Sequence, residues 1–191
     1  MEGFLVFEII IGFIIFQRVV ELCIAKRNEK WMKNQGAIEF GKKHYRLMVL
    51  MHVLFFICLV AEKVYENREL SYFWPILLSI FLLMQIMRIW VIISLGRYWN
   101  TKIIVLRDAK VIKKGPYLYI RHPNYFVVAI EIAVVPLLFN CYITACLFTF
   151  LNSIILIVRI TEEEKALMEL TEYEGIFQDR NRFLPKVVKK V

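Results

Sequence analysis

Cysteine is scarce in this 191-residue sequence, and its placement argues against a metal centre. The four cysteines all lie within apolar segments, with neither a CxxC pair nor another spacing typical of metal ligands. We therefore predict no metal site and interpret the cysteines as small buried hydrophobic residues. They are Cys23, Cys58, Cys141 and Cys146.

The N-terminal segment also lacks the features of a cleaved signal peptide. It has no basic n-region, it contains Glu8, and it continues through Gln17, Arg18 and Glu21 without a small-residue cleavage site. We therefore expect residues 3–24 to form a retained helix.

Composition predicts a membrane protein. Hydrophobic residues make up 59% of the chain, aromatic residues 15%, and the mean hydropathy is +0.56, which exceeds what a soluble domain of this length needs. The net charge of +8 would also suit a nucleic-acid-binding protein, but the basic residues fall in short segments between apolar stretches. That arrangement is typical of loops at an anionic membrane face, so we predict a lipid-bilayer environment and no nucleic-acid partner.

Five apolar segments predict an all-α integral membrane protein with about five transmembrane helices, since a spanning helix needs about 20 residues. The second and fourth segments are short. Asn140 separates the fourth from the fifth and Pro136 lies one turn earlier, so we predict that the last two form a tight helical hairpin. The segments cover residues 3–24, 47–61, 73–95, 125–139 and 141–158.

Lysine and arginine concentrate in segments 26–46, 97–121 and 159–190, with seven basic residues in each, whereas residues 62–72 contain two. Because short basic loops face the cytoplasm, we expect all three basic segments to lie there. Five helices then place the N-terminus outside and the C-terminus inside a bacterial-type plasma membrane.

The stretch GPYLYIRHPNY, residues 115–125, is polar and aromatic and lies directly before a long apolar run. Its hydrogen-bonding groups are unfavourable against lipid tails unless they meet partners, water or a polar ligand. After Pro123, Asn124 and Tyr125 open the following helix, whose free amides favour a carboxylate, and His122 is biased to extended backbone. We therefore predict a reaction site at the membrane edge.

Two further segments are candidates for covering this site. Residues 102–106 and 109–112 are short β-branched runs, and we predict that they pair as a small hairpin over the mouth of the bundle. Segment 26–46 is rich in polar and aromatic residues, and two interpretations stay open. It caps the site, or it is an interfacial amphipathic segment with Trp31 at headgroup level.

Several charged residues interrupt the apolar segments. Arg18 and Glu21 share a helix face, and Arg88 needs an acidic or backbone partner inside the bundle. Glu131, about one heptad beyond Asn124, is interpreted either as substrate-binding or as a structural partner of Arg88. In a small transporter or structural membrane protein, these charges would instead form an ion or substrate path.

After the fifth apolar segment the sequence changes abruptly to RITEEEKAL. Arg159 and Glu163 are four residues apart on one helix face, and a purely structural interpretation pairs them in an interfacial salt bridge. Leu167, Leu170 and Phe177 are predicted to form the apolar side of a C-terminal amphipathic helix at the membrane surface.

The succession GPYLYIRHPNY, apolar hairpin, RITEEEKAL, EYEGIF and RFLP resembles the isoprenylcysteine carboxyl methyltransferase family over roughly the C-terminal half of the chain. The segment QRVVELCIAKRNEKWMKNQGAIEFGKKHY is similar to small bacterial members that O-methylate alkylpyrones. We therefore expect one membrane domain over residues 1–191, with three helices in 1–96 and the methyltransferase region in 97–191. The resemblance implies S-adenosylmethionine as the cofactor, bound at the cytoplasmic face.

The resemblance also implies site residues. Arg159 matches the substrate-side arginine and forms the implied catalytic pair with Glu163, while Glu131 is retained as a second candidate for substrate binding. Val127 stands where the family often has glycine, which leaves the acceptor open. The implied cofactor contacts are the backbone of Lys110, Val111 and Ile112, together with Tyr117, His122, Pro123, Asn124, Tyr125 and Glu163.

The implied reaction is methyl transfer to an oxygen of a lipophilic, membrane-embedded acceptor. That oxygen belongs to the carboxylate of a prenylcysteine-like compound or to the hydroxyl of an alkylpyrone-like lipid. Since the sulfonium already carries an activated methyl group, positioning and charge are the expected catalytic contributions. The alternative enzyme class is an NADPH-dependent membrane reductase of the sterol-reductase type, whose C-terminal helices are similar.

Overall fold

The computed structural model describes residues 2–173 and 182–183. Its regular structure is almost entirely helical, which confirms the predicted all-α class, and each of the five apolar segments forms a helix. The elements are α1 (Glu2–Asn34), β1 (Ile38–Phe40), α2 (Lys42–Tyr65), α3 (Trp74–Leu95), β2 (Ile103–Val105), α4 (Pro123–Leu137) and α5 (Tyr142–Leu170), with short 3-10 helices at Gly96–Tyr98 and Gly115–Leu118.

Within the described residues, three helices are long and apolar enough to cross a membrane: α2, α3 with the turn that follows it, and α5. Helix α4 is apolar but has only 15 residues, fewer than the roughly 20 that a full span needs. The predicted shortness of the fourth segment is confirmed. Five spans and the orientation of the termini stay predictions.

Helices α4 and α5 form the tight hairpin that the sequence predicts. Pro123 opens α4, where a missing amide hydrogen has no intrahelical partner to lose. Asn140 reverses the chain with a left-handed φ of 54°, and the Cys141 amide donates to the carbonyl of Pro136 at 3.0 Å. Pro136 therefore lies in the last turn of α4, where it does not break the helix.

One end of the bundle, which we call the closed end, contains the last turn of α2, the start of α3 and the α4–α5 turn. Glu62 of α2 is buried there and caps α5, accepting from the Ile143 amide at 3.1 Å, the Thr144 amide at 2.7 Å and the Thr144 hydroxyl at 2.7 Å. The largest hydrophobic core cluster includes Phe7, Phe55, Leu59, Leu138, Phe139 and Phe148.

The opposite end, which we call the basic end, contains the last turns of α1, α3 and α5 and the starts of α2 and α4. Helix α1 continues to Asn34 rather than ending near residue 24 as predicted. Asn28 explains the extension, because its amide donates to the carbonyl of Trp99 at 2.7 Å and thereby fixes α1 to the chain after α3. Asn100 donates in return to the carbonyl of Ala25 at 3.1 Å.

The predicted hairpin of residues 102–106 with 109–112 is wrong. Strand β2 pairs instead with β1 of the α1–α2 loop, antiparallel, with Glu39 opposite Ile104. A turn with a left-handed φ of 57° at Asp108 sends the chain toward α5, where the Asp108 amide donates to the carbonyl of Leu170 at 2.9 Å. This pairing favours the interpretation in which segment 26–46 caps the site.

Helix α5 runs through the RITEEEKAL block as one continuous helix. Ala166 and Leu170 pack against Ile103 and Val105 of β2, with Leu167 beside them. The predicted lipid-facing role of the two leucines is therefore wrong, because the small sheet supplies the apolar surface that they cover. Phe177 lies outside the described residues.

The prediction for the cysteines holds in part. Cys141 is buried and Cys58 is half-buried, whereas Cys23 and Cys146 are exposed on the outer faces of α1 and α5. In an apolar helix an outward-facing small hydrophobic residue meets lipid rather than core, so apolar surroundings in sequence do not distinguish the two positions.

Candidate active site

A cavity of about 240 Å³ opens at the basic end and continues inward between the helices. We divide it into two lobes that meet at Arg159 and Tyr125. The outer lobe lies near the loops and is lined by residues that include Lys110, Val111, Ile112, Tyr117, His122, Asn124, Glu163 and Tyr173. The inner lobe lies deeper and is lined by Arg18, Glu21, Met48, His52, Arg88, Val128, Asn152 and Leu156.

Arg159 and Glu163 are joined through a tyrosine rather than paired directly. The Nε of Arg159 donates to the Tyr125 hydroxyl at 2.9 Å, and that hydroxyl donates to the Glu163 carboxylate. A second guanidinium nitrogen of Arg159 donates to the carbonyl of Thr101. The salt-bridge interpretation is therefore wrong, since Tyr125 lies between the two charges and fixes both.

His122 is held from the side opposite the cavity. Its Nε2 lies 3.0 Å from the carboxylate of Glu164, which also pairs with Arg182 at 2.6 Å. The His122 ring stacks on Tyr125 with centroids 5.6 Å apart and an interplanar angle of 28°. The extended backbone predicted for the residue before Pro123 places this ring beside the tyrosine that organises Arg159.

Tyr117 supplies a neutral hydroxyl to the outer lobe. Burial raises its pKa well above the usual value, and the neighbouring Glu163 carboxylate and Tyr125 hydroxyl raise it further. Burial also raises the pKa of Tyr173, with added repulsion from Glu164 and Glu163. Both phenols therefore stay protonated at neutral pH.

Three buried polar atoms that belong to cavity-lining residues have no hydrogen-bond partner within the described part of the chain. They are Oδ1 of Asn124 and Nε1 of Trp99 on the outer side, and Oδ1 of Asn152 in the inner lobe. Buried polar atoms without partners are rare in proteins and indicate an ion, a water or a ligand. The cavity walls thus present acceptor and donor positions to an occupant.

The inner lobe ends on a charge cluster formed by Arg18, Glu21, Arg88 and Glu131. Arg18 pairs with Glu21 at 2.7 Å and with Glu131 at 2.8 Å, and Arg88 also contacts both carboxylates. Gln85 adds a hydrogen bond to Glu131 at 2.8 Å. Of the two interpretations of Glu131, the ion pair with Arg88 is present in the structure, and two cations balance two anions in this cluster.

The structure brings most of the predicted site residues into one cavity wall. Two of them are placed differently: Pro123 is buried at the start of α4 without lining the cavity, and Glu131 lies behind the wall, held by Arg18 and Arg88. Val127 is fully buried in α4 and does not line the cavity either. The predicted site residues that line it are Lys110, Val111, Ile112, Tyr117, His122, Asn124, Tyr125, Arg159 and Glu163.

Other residues of the site were missed from the sequence. Glu164 lies next to Glu163 and therefore on another helix face, where it contacts His122. Asn152 and His52 each interrupt an apolar helix, and this interruption is the signal that would have identified them. Trp99 and Thr101 carried no signal, because their role depends on the path of the loop after α3.

The chain is similar to uncharacterized bacterial proteins over most of its length. The uncharacterized protein YpbQ of Bacillus subtilis is 47% identical over 163 residues, which are 85% of this chain and 97% of that protein. An uncharacterized protein of Haemophilus influenzae is 32% identical over 154 residues, which are 80% of this chain and 90% of that protein.

A family model matches residues 76–169, a region that begins in α3 and ends in the last turn of α5. It therefore includes the loop after α3, the whole α4–α5 hairpin and the linked pair Arg159 and Glu163. The matched family is the one that the motifs resemble. This chain belongs to the isoprenylcysteine carboxyl methyltransferase family.

Proposed function

We propose that this membrane protein is an S-adenosylmethionine-dependent O-methyltransferase whose acceptor is lipophilic and carries an anionic oxygen. One observation carries the proposal. Arg159 is 4% exposed and bonds only to neutral oxygens, those of Tyr125 and Thr101, and no carboxylate lies within ion-pair distance of it in the described residues. Glu163 reaches this guanidinium only through Tyr125. A buried cation without a direct ion pair is unfavourable, so its surroundings favour an anionic ligand.

The outer lobe fits the cofactor by its chemistry. The unpartnered Oδ1 of Asn124 and the carboxylate of Glu163 are acceptors suited to an ammonium group or to ribose hydroxyls. The amides at the start of α4 suit a carboxylate, and the backbone of 110–112 suits an adenine edge. When bound there, S-adenosylmethionine would supply an electrophilic methyl group that needs no metal for its activation.

The residues of the chain then have distinct tasks. Arg159 holds the anionic acceptor oxygen where the two lobes meet, and Tyr125 keeps the guanidinium in place. A carboxylate or an acidic enol is already ionised near neutral pH, so no general base is required. Glu163 serves as a cofactor ligand in this scheme, and His122 supports Tyr125 by stacking.

Access for a lipophilic acceptor is proposed from within the bilayer. A small apolar space beside Arg18 and His52 continues between α1, α2 and α4. Helix α4 is too short to seal the full thickness of a bilayer. Together these features support a lateral entry to the inner lobe, with the soluble cofactor entering from the basic end, which we propose to be cytoplasmic.

Equilibrium binding of S-adenosylhomocysteine and of NADPH to the detergent-purified chain tests this proposal. We expect binding of S-adenosylhomocysteine and none of NADPH, and an at least tenfold weaker affinity in Glu163→Gln. Glu162→Gln is the matched control, because Glu162 does not line the cavity. Binding of NADPH without S-adenosylhomocysteine would instead support the reductase alternative.

A further inference from the structure

Asn152 presents to the inner lobe a buried amide oxygen that has no hydrogen-bond partner among the described residues. The residue is 2% exposed, it lines the cavity, and its Oδ1 accepts no hydrogen bond from any described residue. Leu156 lies one turn farther along α5, and Val128 and Met48 are further apolar residues of this lobe, while Arg18, Glu21 and Arg88 pair with one another or with Glu131. An amide left unpaired in such surroundings is unfavourable, unless the occupant of the lobe supplies the missing hydrogen bond.

The position of Asn152 relative to Arg159 is fixed by helix α5. Seven residues separate them, which is close to two full turns, so both face the same side of the helix. At 1.5 Å per residue, the two backbone positions lie about 10 Å apart along the axis. A ligand that reaches Arg159 with one group can therefore contact Asn152 only with a second group farther along its length.

The chemistry of this second group follows from the charges nearby. The charge cluster at the end of the inner lobe is balanced, since Arg18 and Arg88 both contact Glu21 and Glu131. No described cation there is left for a second anion. The amide of Asn152 can donate and accept, so it suits a hydroxyl, a carbonyl or an amide.

We propose that the methyl acceptor is an amphiphile with one anionic oxygen and a second, neutral hydrogen-bonding group about 10 Å farther along its tail, and that Asn152 binds this second group. The inference rests on the proposed function, because it takes Arg159 as the binding site of the methylated oxygen. It disfavours an acceptor whose tail is a plain hydrocarbon. Asn152 is a specificity-determining residue in this account.

Two acids that differ by one hydroxyl group test the inference: 10-hydroxyhexadecanoic acid and hexadecanoic acid. Their binding to the full-length chain is measured by equilibrium dialysis with S-adenosylhomocysteine present, and methyl ester formation is measured separately with labelled S-adenosylmethionine. We expect the wild-type chain to bind the hydroxylated acid at least tenfold more tightly. Asn152→Leu should remove this difference, and Asn152→Gln should restore part of it.

The matched control is Ser153→Ala, since Ser153 is exposed and bonds only to the carbonyl of Thr149 in its own helix. It should leave the preference unchanged. Asn152→Leu should also raise the melting temperature of the ligand-free chain, because leucine replaces an unpartnered amide with an apolar group of similar volume. A lower melting temperature would assign Asn152 a structural role and overturn the inference.

The remaining outcomes separate this inference from the proposed function. Equal binding of the two acids by wild type, binding of neither, or a preference that survives in Asn152→Leu overturns the role of Asn152. Equal methylation of both acids would do the same while supporting methyl transfer. Discrimination in binding with no methyl ester formed would uphold the subsite and count against the proposed function.

Discussion

The closed and basic ends of the bundle both bury a charged residue of their own, and the two residues are satisfied in different ways. At the closed end, Glu62 receives three hydrogen bonds from the start of α5, all from within the chain. At the basic end, Arg159 bonds to two neutral oxygens and meets no carboxylate in the described residues.

This difference indicates which polar groups stabilise the fold and which are available to bind a ligand. A carboxylate with three internal donors is complete without a partner molecule. A guanidinium held by a tyrosine and a carbonyl is positioned but has no direct ion pair, because the Glu163 carboxylate lies on the far side of Tyr125. We therefore expect substitutions at the closed end to affect stability, and substitutions at the junction of the lobes to affect activity and specificity.

The largest expected effect is on catalysis by Arg159→Ala. Removing the cation that holds the acceptor oxygen should lower kcat/KM for methyl transfer about a thousandfold, in the range found when one electrostatic contact of a transition state is removed. The measurement is methyl ester formation in the assay with labelled S-adenosylmethionine. Affinity for S-adenosylhomocysteine should change less than threefold, as Arg159 is assigned to the acceptor.

Arg159→Lys is the matched variant for this comparison. It keeps the charge but cannot contact Tyr125 and Thr101 with the geometry of a guanidinium, so we expect an intermediate loss of about ten- to a hundredfold. If the alanine and lysine variants both turned over at the wild-type rate, Arg159 would not be the acceptor-binding residue.

The next effect is on stability, at the opposite end. Glu62→Ala leaves the amides of Ile143 and Thr144 without their acceptor, and it should lower the free energy of unfolding by about 2–4 kcal/mol. Thermal unfolding in detergent measures the change as a lower melting temperature. The variant should keep the wild-type affinity for S-adenosylhomocysteine at temperatures where it remains folded.

Glu66→Ala provides the control, because Glu66 lies one turn farther on and pairs only with Arg68 at the surface. Its melting temperature should stay close to that of wild type. Equal destabilisation by the two substitutions would mean that capping of α5 is not what Glu62 contributes.

The helices could be predicted from the sequence because each depends on local information. Runs of apolar residues fix the helices, and Pro123 and Asn140 mark where α4 begins and where the hairpin turns. The pairing of β1 with β2 could not be predicted in the same way. Two adjacent β-branched runs suggest a local hairpin, whereas the actual partner lies more than 60 residues earlier and is positioned by the extension of α1.

The candidate site shows the same difference between what local sequence predicts and what depends on the fold. Motif resemblance placed Arg159 and Glu163 together, but only the fold shows that Tyr125 of another helix joins them. Likewise, a single polar residue such as Asn152 within an apolar helix has no assigned depth or direction until its neighbours are known. Sequence therefore supplies the identities of reactive groups more readily than the contacts that orient them.

The smallest effect concerns the ion pairs that fasten the β1–β2 sheet over the basic end. Lys102 pairs with Glu29 at 2.8 Å, and Lys33 pairs with Glu29 at 2.5 Å and with Glu39 at 2.8 Å. Burial opposes the ionised form of Glu29, but hydrogen bonds from Lys102 and Lys33 leave its pKa below the usual value, and the bond from Lys33 lowers the pKa of Glu39. The bond with Glu29 raises the pKa of Lys102, and those with Glu29 and Glu39 raise the pKa of Lys33 to about 12.

These pKa shifts set the pH range over which the ion pairs stabilise the β1–β2 sheet. Carboxylates with a lowered pKa stabilise the fold above their unfolded pKa of about 4.3, and this contribution is lost as the pH falls through the folded value. Lysines with a raised pKa stabilise the fold fully below about 10.4, and this contribution is lost as the pH rises through the folded value.

Hydrogen exchange of Ile38–Phe40 and Ile103–Val105, corrected for its intrinsic rate, should therefore be slowest between about pH 5 and 10. Lys102→Met should accelerate it about two- to fivefold at neutral pH, since partly exposed pairs contribute about 0.2–1 kcal/mol, and added salt should reduce the difference. The exposed Lys113→Met is the control, and an unchanged exchange rate in Lys102→Met would show that backbone pairing alone holds the sheet over the cavity.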